Sequence, residues 1–176
     1  MEVRFVAPDL RRLDELKSEA LALCFFEDQR PLRRAVGLVD WRLCGQISRM
    51  LLRGRATGRL GEALLIPARP RLPFDKLFLF GAGDRDALDE EVAVQVVEHM
   101  LTTLDRALVR TSVMALPGRS NDGLAPEHAM RILLERGARH PEQDQVVLIE
   151  PGEAQRAMMP VVERERRRER AESLER

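Results

Sequence analysis

The stretch from Lys76 to Glu91, KLFLFGAGDRDALDEE, constrains this chain more than any other. An apolar run, Leu77-Phe78-Leu79-Phe80, stops at Gly81-Ala82-Gly83, and acids begin at Asp84. Successive side chains of a strand alternate sides, so an unbroken apolar run suits a strand covered on both faces. Glycines permit a tight turn, and acids suit the positive start of a helix. The pattern predicts a buried strand, a turn and a helix, hence an α/β domain. It also marks the place for a ligand: Gly81 and Gly83 would let a group approach the backbone, with the helix N-terminus beside Asp84 facing it. The plainer reading is a tight turn with Asp84 or Asp86 capping the helix. The crowd of acids there opposes an anion.

At 176 residues, with 44% apolar side chains, the chain is long enough for one domain with a full core. Its formal net charge is zero, so no overall field draws it to nucleic acid or anionic lipid. Lys17 and Lys76 are its only lysines, an arginine bias that reads as genome composition, such as that of a GC-rich bacterium. Cys24 and Cys44 each sit in an apolar pattern without a CxxC pair, and read as buried free thiols. The N-terminus lacks a basic segment followed by a long apolar run, and no apolar stretch is long enough to span a bilayer. A cytoplasmic protein is the expectation.

Along the chain, Glu2 to Val6 alternates like a strand, and Pro8-Asp9 opens a short helix to Leu16. Ala20 to Phe26 is apolar almost throughout and predicts a second strand buried on both faces. Leu38 to Arg53 carries Val39, Leu43, Ile47, Met50 and Leu51 at helical spacing, with Gly54 as a stop. Ala63 to Ile66 is a short strand before the connector PARPRLP. A long helix is expected from Arg85 to Leu108, a strand over Thr111–Leu116, a helix from Asp122 to Gly137, a strand over Gln145–Ile149 and a last helix from Pro151. Leu79, Val96 and Met100 are expected in the core where the central strand meets the long helix. Alternating strands and helices predict three layers, α/β/α, over residues 1–150. The segment 151–176 adds a charged C-terminal helix. From Val161 it loses its apolar stripe, and pairs such as Glu163–Arg167 and Glu172–Arg176 give it only local support.

The order and spacing of these pieces resemble the N-terminal domain of the leucyl (cytosol) aminopeptidase family. The matching pieces are the opening strand, ALALCFFED, RPLRRAVGLVDWRLCGQISRMLL, GEALLIP, KLFLFGAGDRDALDEE and TSVMALPG. The resemblance implies a macro-like α/β/α fold with a mixed sheet. It also implies a domain that contributes to assembly while a separate domain does the chemistry. The family's metal-site run Asn-Thr-Asp-Ala-Glu-Gly-Arg is absent from these residues, so no family metal ligand can be assigned here. Macro domains that bind ADP-ribose show Asn-Ala-Asn and a glycine-rich loop after the buried strand. The corresponding place here reads FFEDQRPLRRAVG, with no Asn and a single Gly.

No catalytic residue, metal ligand or cofactor site is expected. His99, His128 and His140 are scattered, Ser48, Ser112 and Ser120 sit in no nucleophile pattern, and Glu27-Asp28 is an isolated acidic pair. Trp41 reads as a core or interface anchor. Between Arg49 and Arg71 lie Arg49, Arg53, Arg55, Arg59, Arg69 and Arg71, against Glu62 alone. The plain reading of that basic stretch is a solvated face; the alternative is a contact with a protein, and less readily with nucleic acid, because only Phe74 is close enough for base stacking. Met158, Met159, Val161 and Val162 predict a small apolar patch for a neighbour to cover. The leading expectation is a non-catalytic assembly or interaction module, a homo-oligomer or one bound to a protein partner. The alternatives are a nucleotide-type ligand at Gly81–Asp84 and nucleic acid at residues 49–71.

Overall fold

The computed structural model describes residues 1–119 and 123–174. Six strands form one mixed sheet in the order β1 (Glu2–Val6), β6 (Gln145–Ile149), β5 (Thr111–Ala115), β2 (Ala20–Phe25), β4 (Lys76–Gly81) and β3 (Ala63–Pro67). All neighbours run parallel except β3, which is antiparallel to β4. Helices α1 (Leu10–Asp14), α2 (Arg34–Arg42) and α3 (Gln46–Leu52) cover one face. Helices α4 (Glu90–Arg106), α5 (Pro126–Gly137) and α6 (Gly152–Leu174) cover the other. The fold is the expected three-layer α/β/α arrangement.

Strand alternation divides the core in two. Ala20, Ala22, Cys24, Phe78 and Phe80 pack toward α4–α6, whereas Leu21, Leu23, Phe25, Leu77 and Leu79 pack toward α1–α3. Every residue of β2 is buried. Leu79, Val96 and Met100 are all buried as expected, but Leu79 faces α1–α3. Its neighbours Phe78 and Phe80 meet the long helix instead.

Three of the expected helices depart from expectation by more than two residues. The helix anticipated over residues 38–53 is two helices, separated where Cys44 (φ 56°) and Gly45 (φ 75°) turn left-handed. Asp40, at the end of α2, folds back: its carboxylate accepts the N–H of Ile47 (2.8 Å) and of Ser48 (3.1 Å), capping α3. The apolar periodicity runs across the break and so hides it. Cys44 is consequently exposed, not buried, and Trp41 is 73% exposed, not in the core. The long helix begins at Glu90, where the Asp89 carboxylate accepts the Val92 N–H (2.8 Å); Asp84 and Asp86 lie in the loop before it. Helix α5 begins at Pro126; Asp122, where its start was expected, lies outside the described residues, as do Ser120 and Arg176 of the Glu172–Arg176 pair.

The end of α4 is a Schellman turn made without glycine. Val109 N–H donates to Leu104 O (3.0 Å) and Leu108 N–H to Asp105 O (2.9 Å), with Leu108 at φ 55°. Leu104 and Val109 are both buried across that turn. Leu108 is 84% exposed and gains nothing for its strained backbone. Leu108→Gly should therefore raise stability by about 1 kcal/mol, read as a higher urea midpoint at unchanged m-value.

Candidate functional site

The glycine turn after β4 is buried, and another part of the chain fills it. A Cβ on Gly81 would lie 2.0 Å from the Arg59 carbonyl oxygen and 2.7 Å from the Gly58 carbonyl carbon. Gly83 donates its N–H to Gly58 O (2.8 Å), and its own carbonyl accepts the Glu27 N–H (3.0 Å). The glycines admit a crossing backbone, and the helix start lies further on at Glu90. This corrects the expectation of a ligand held by Gly81, Gly83 and Asp84. Exposed Asp84 instead accepts the Asp86 N–H (2.8 Å), and Asp28, Asp84 and Asp86 bring carboxylate oxygens within 4.8 Å of one another. Arg85 answers that charge, 3.8 Å from Asp28 and 3.5 Å from Asp86.

The cleft of the domain lies at the carboxyl ends of the parallel strands, where open α/β sheets hold ligands. It encloses about 390 Å³ between the ends of β2, β5 and β6 and the start of α2. Its walls are mostly apolar, with Leu32, Val36, Leu116 and Ile149 among them. On one side Arg119 donates through Nε (3.0 Å) and Nη2 (3.2 Å) to the two carboxylate oxygens of Glu150, and through Nη1 to Leu124 O. Both side chains are buried, so this fork is an internal ion pair that fixes the loop after β5. At the mouth, α2 starts without a side-chain cap, beside exposed Arg33 and Arg34. Its first N–H groups have no preceding turn to bond, so the mouth is electropositive. Cys24 also borders the cleft, but burial pushes its thiol far above the ordinary range, which suppresses the reactive thiolate.

Sequence reasoning missed Arg33, Arg34, Arg119 and Glu150. The arginines follow the buried strand directly in RPLRRAVG, which could have placed them at a strand end. The Arg119–Glu150 pairing spans two loops and left no local signal.

The expected contact residues separate into two groups. Arg49, Arg53, Arg55 and Arg59 are exposed on α3 and the loop after it. Glu62, the one acid of that stretch, turns inward and accepts N–H bonds from Thr57 and Gly58, leaving the arginines uncompensated on their own segment. Met158, Val161 and Val162, by contrast, are buried in the core beneath α6, with Met158 at 0% exposure. This corrects the expected apolar patch: α6 covers it against the domain itself, and only Met159 stays exposed. Of the histidines, His128 lies 2.9 Å from Glu90, and His99 meets the Phe80 ring edge-on. His140 is buried between Asp105 (2.5 Å) and Glu98 (3.3 Å).

Residues 22–136 match the Cytosol aminopeptidase family, N-terminal domain. The chain belongs to this family. Among its relatives, the probable cytosol aminopeptidase of Pseudomonas aeruginosa is 29% identical over 124 residues, 70% of this chain and 25% of that protein. That of Pseudomonas fluorescens is 31% identical over 114 residues, covering 65% and 22%. The chain thus spans about a quarter of the length of the curated relatives it matches. In three dimensions, a mutant tomato leucine aminopeptidase superposes with TM-score 0.62 at 15% identity, over 92% of this chain and 35% of that one. A Trypanosoma brucei macrodomain in complex with ADP-ribose superposes with TM-score 0.72 at 12% identity, over 91% and 68%. These structures share the macro-like fold expected of the family's N-terminal domain. No helix among the described residues is long and apolar enough to cross a membrane.

In this aminopeptidase-family domain the backbone crossing at Gly81 is a stability determinant. Gly81→Ala should cost roughly 1–3 kcal/mol in urea unfolding, because a carbonyl, not a flexible side chain, stands in the way. Gly152→Ala, with nothing within 4 Å, should leave the midpoint within error.

Proposed function

We propose that this domain is a non-catalytic interaction module of the cytoplasm whose α2–α3 surface holds a protein partner. One observation carries the reading: Trp41 is 73% exposed and Leu52 is 87% exposed, on consecutive helices. The hollows these two residues border share Pro31, Leu32 and Ser48, so both edge one continuous surface. An exposed tryptophan beside aliphatic groups is the kind of anchor that dominates protein interfaces. Arg71 borders the same surface, and Arg49 on α3 and Arg53 just after it are exposed, so a partner with acidic side chains around an apolar centre fits. The match to the family's N-terminal domain, which the resemblance reads as the assembly part, and the relatives named as cytosol aminopeptidases support this reading of role and location.

The test compares proteins co-purified from the native cell by the wild type and by a Trp41→Ser, Leu52→Asp double variant. The expected outcome is a partner lost from the variant while its melting temperature holds. Retention should fall with salt, since exposed charges are screened over about 8 Å at physiological ionic strength. Identical protein sets from both would overturn the reading. Trp41 is the chain's single tryptophan, so its emission should also shift to shorter wavelength when the partner covers it.

A second reading rests on the cleft. The uncapped start of α2, flanked by Arg33 and Arg34 beside an apolar cavity, favours an anionic ligand with an apolar part, such as a nucleotide. The likeness to a macrodomain solved with ADP-ribose supports trying that compound first. Calorimetric titration with ADP-ribose should give binding that Arg33→Glu with Arg34→Glu weakens at least about tenfold, the equivalent of 1.4 kcal/mol. No heat at high concentration, or equal affinity in the variant, would exclude this site.

A further inference from the structure

We infer that β3 is a self-pairing edge, through which a second copy of this chain adds to the sheet. The inference rests on the interaction reading and names a partner for a different surface. Strand β3 ends the sheet and pairs only with β4. Gly81 N–H donates to Glu62 O, and the register sets Leu64 against Leu79 and Ile66 against Leu77. In an antiparallel ladder bonded pairs alternate, so Glu62, Leu64 and Ile66 bond inward, and Ala63 and Leu65 aim their N–H and C=O groups outward. No described hydrogen bond takes up those four groups.

Exposed edges are normally guarded by charge, proline, a bulge or a covering element. The opposite edge of this sheet has such guards. Strand β1 carries the Glu2–Arg4 ion pair (2.9 Å), and Arg166 of α6 reaches its Val3 carbonyl (3.5 Å). Strand β3, ALLIP, has no charged side chain, and Ala63 and Leu65 are both exposed, the latter by 61%. Its one guard is Pro67 at the end.

The sequence of the strand is self-complementary about a two-fold axis through Leu64. Ala63 then stands opposite Leu65 of the second copy, and Leu65 opposite its Ala63. Each of these two pairs exchanges both N–H···O bonds, which uses every outward donor and acceptor of the two residues. Pro67, which has no N–H, falls opposite Gly61 of the second copy, beyond the bonded pairs. On one face each Leu65 covers the small Ala63 across the axis, and on the other the two Leu64 side chains meet. Such an isologous contact closes at two copies and joins two sheets into one. Arg59 and Arg69 both lie beyond turns at the strand ends, and the paired segment itself carries no charge. Salt should therefore leave this contact little changed, unlike its expected effect at the α2–α3 surface.

Sedimentation equilibrium from about 1 µM to 1 mM tests this, on the wild type, Leu65→Lys, Leu65→Pro and the Trp41→Ser, Leu52→Asp variant. Leu65→Lys charges the edge, and Leu65→Pro removes an outward N–H that the ladder to β4 does not use. The expected result is a wild-type dimer whose affinity changes little with salt and that persists in the Trp41–Leu52 variant. Both Leu65 variants should be at least about tenfold weaker with unchanged melting temperatures. Amide exchange at Ala63 and Leu65 should slow as dimer forms. A wild type monomeric throughout, or a dimer that survives both Leu65 variants, overturns the inference and leaves the α2–α3 reading standing. A dimer lost only in the Trp41–Leu52 variant places self-association on that other surface. A β3 dimer together with no partner lost on changing Trp41 and Leu52 supports the edge and removes the other reading.

Discussion

The residues of β2 have nowhere to lie except between two layers of helix. All six are buried, and side chains on both faces are apolar, so burial needs cover on both sides and a hydrogen-bonded neighbour on each edge. Strands β4 and β5 provide the edges, and the parallel pairing requires connections long enough to cross a face. The connection from β2 to β4 contributes α2 and α3 to one face, and that from β4 to β5 contributes α4 to the other. Three layers follow from one strand. The cleft follows as well, because parallel strands end together and the chain leaves their carboxyl ends for opposite faces.

Much of this was legible in the sequence because period and composition are local. All six strands were legible, β1 from its alternation and the others from short apolar runs, and α4 from Val92, Val96, Met100 and Leu104 recurring every four residues. The break between α2 and α3 was not, since Val39, Leu43 and Ile47 keep one apolar face through a left-handed turn. What makes that break is Asp40, whose carboxylate is taken from solvent to cap the next helix. Propensity scores only neighbours along the chain and has no access to such a bond. The same holds for Leu108: nothing in LVRT distinguishes a leucine forced to a positive φ from one in the last turn.

The candidate sites were legible to a lesser degree, and the glycines show why. A glycine pair after a strand signals that something approaches the backbone closely, without saying whether it is a phosphate or another peptide. Here it is the peptide of Gly58 and Arg59. The cleft, in contrast, is assembled from loops far apart in sequence, and the Arg119–Glu150 fork exists only once β5 and β6 are side by side. The methionines and valines of α6 misled in the opposite sense. An apolar stripe predicts cover, and the domain's own helices supply it.

The pairing of β1 imposes an order on how the chain comes together during synthesis. Strand β1, the first of this domain to be made, has a single neighbour among the described residues, β6, and its outer edge is closed by an arginine of helix α6. Until residues 145–149 emerge, Glu2–Val6 has nothing to bond with, while β2, β4 and β5 can already assemble around α4. Glu2–Val6 is therefore the earliest-made strand of the domain and the last to join its sheet. For most of the domain's synthesis it is a strand with both edges open, a template for pairing with other chains.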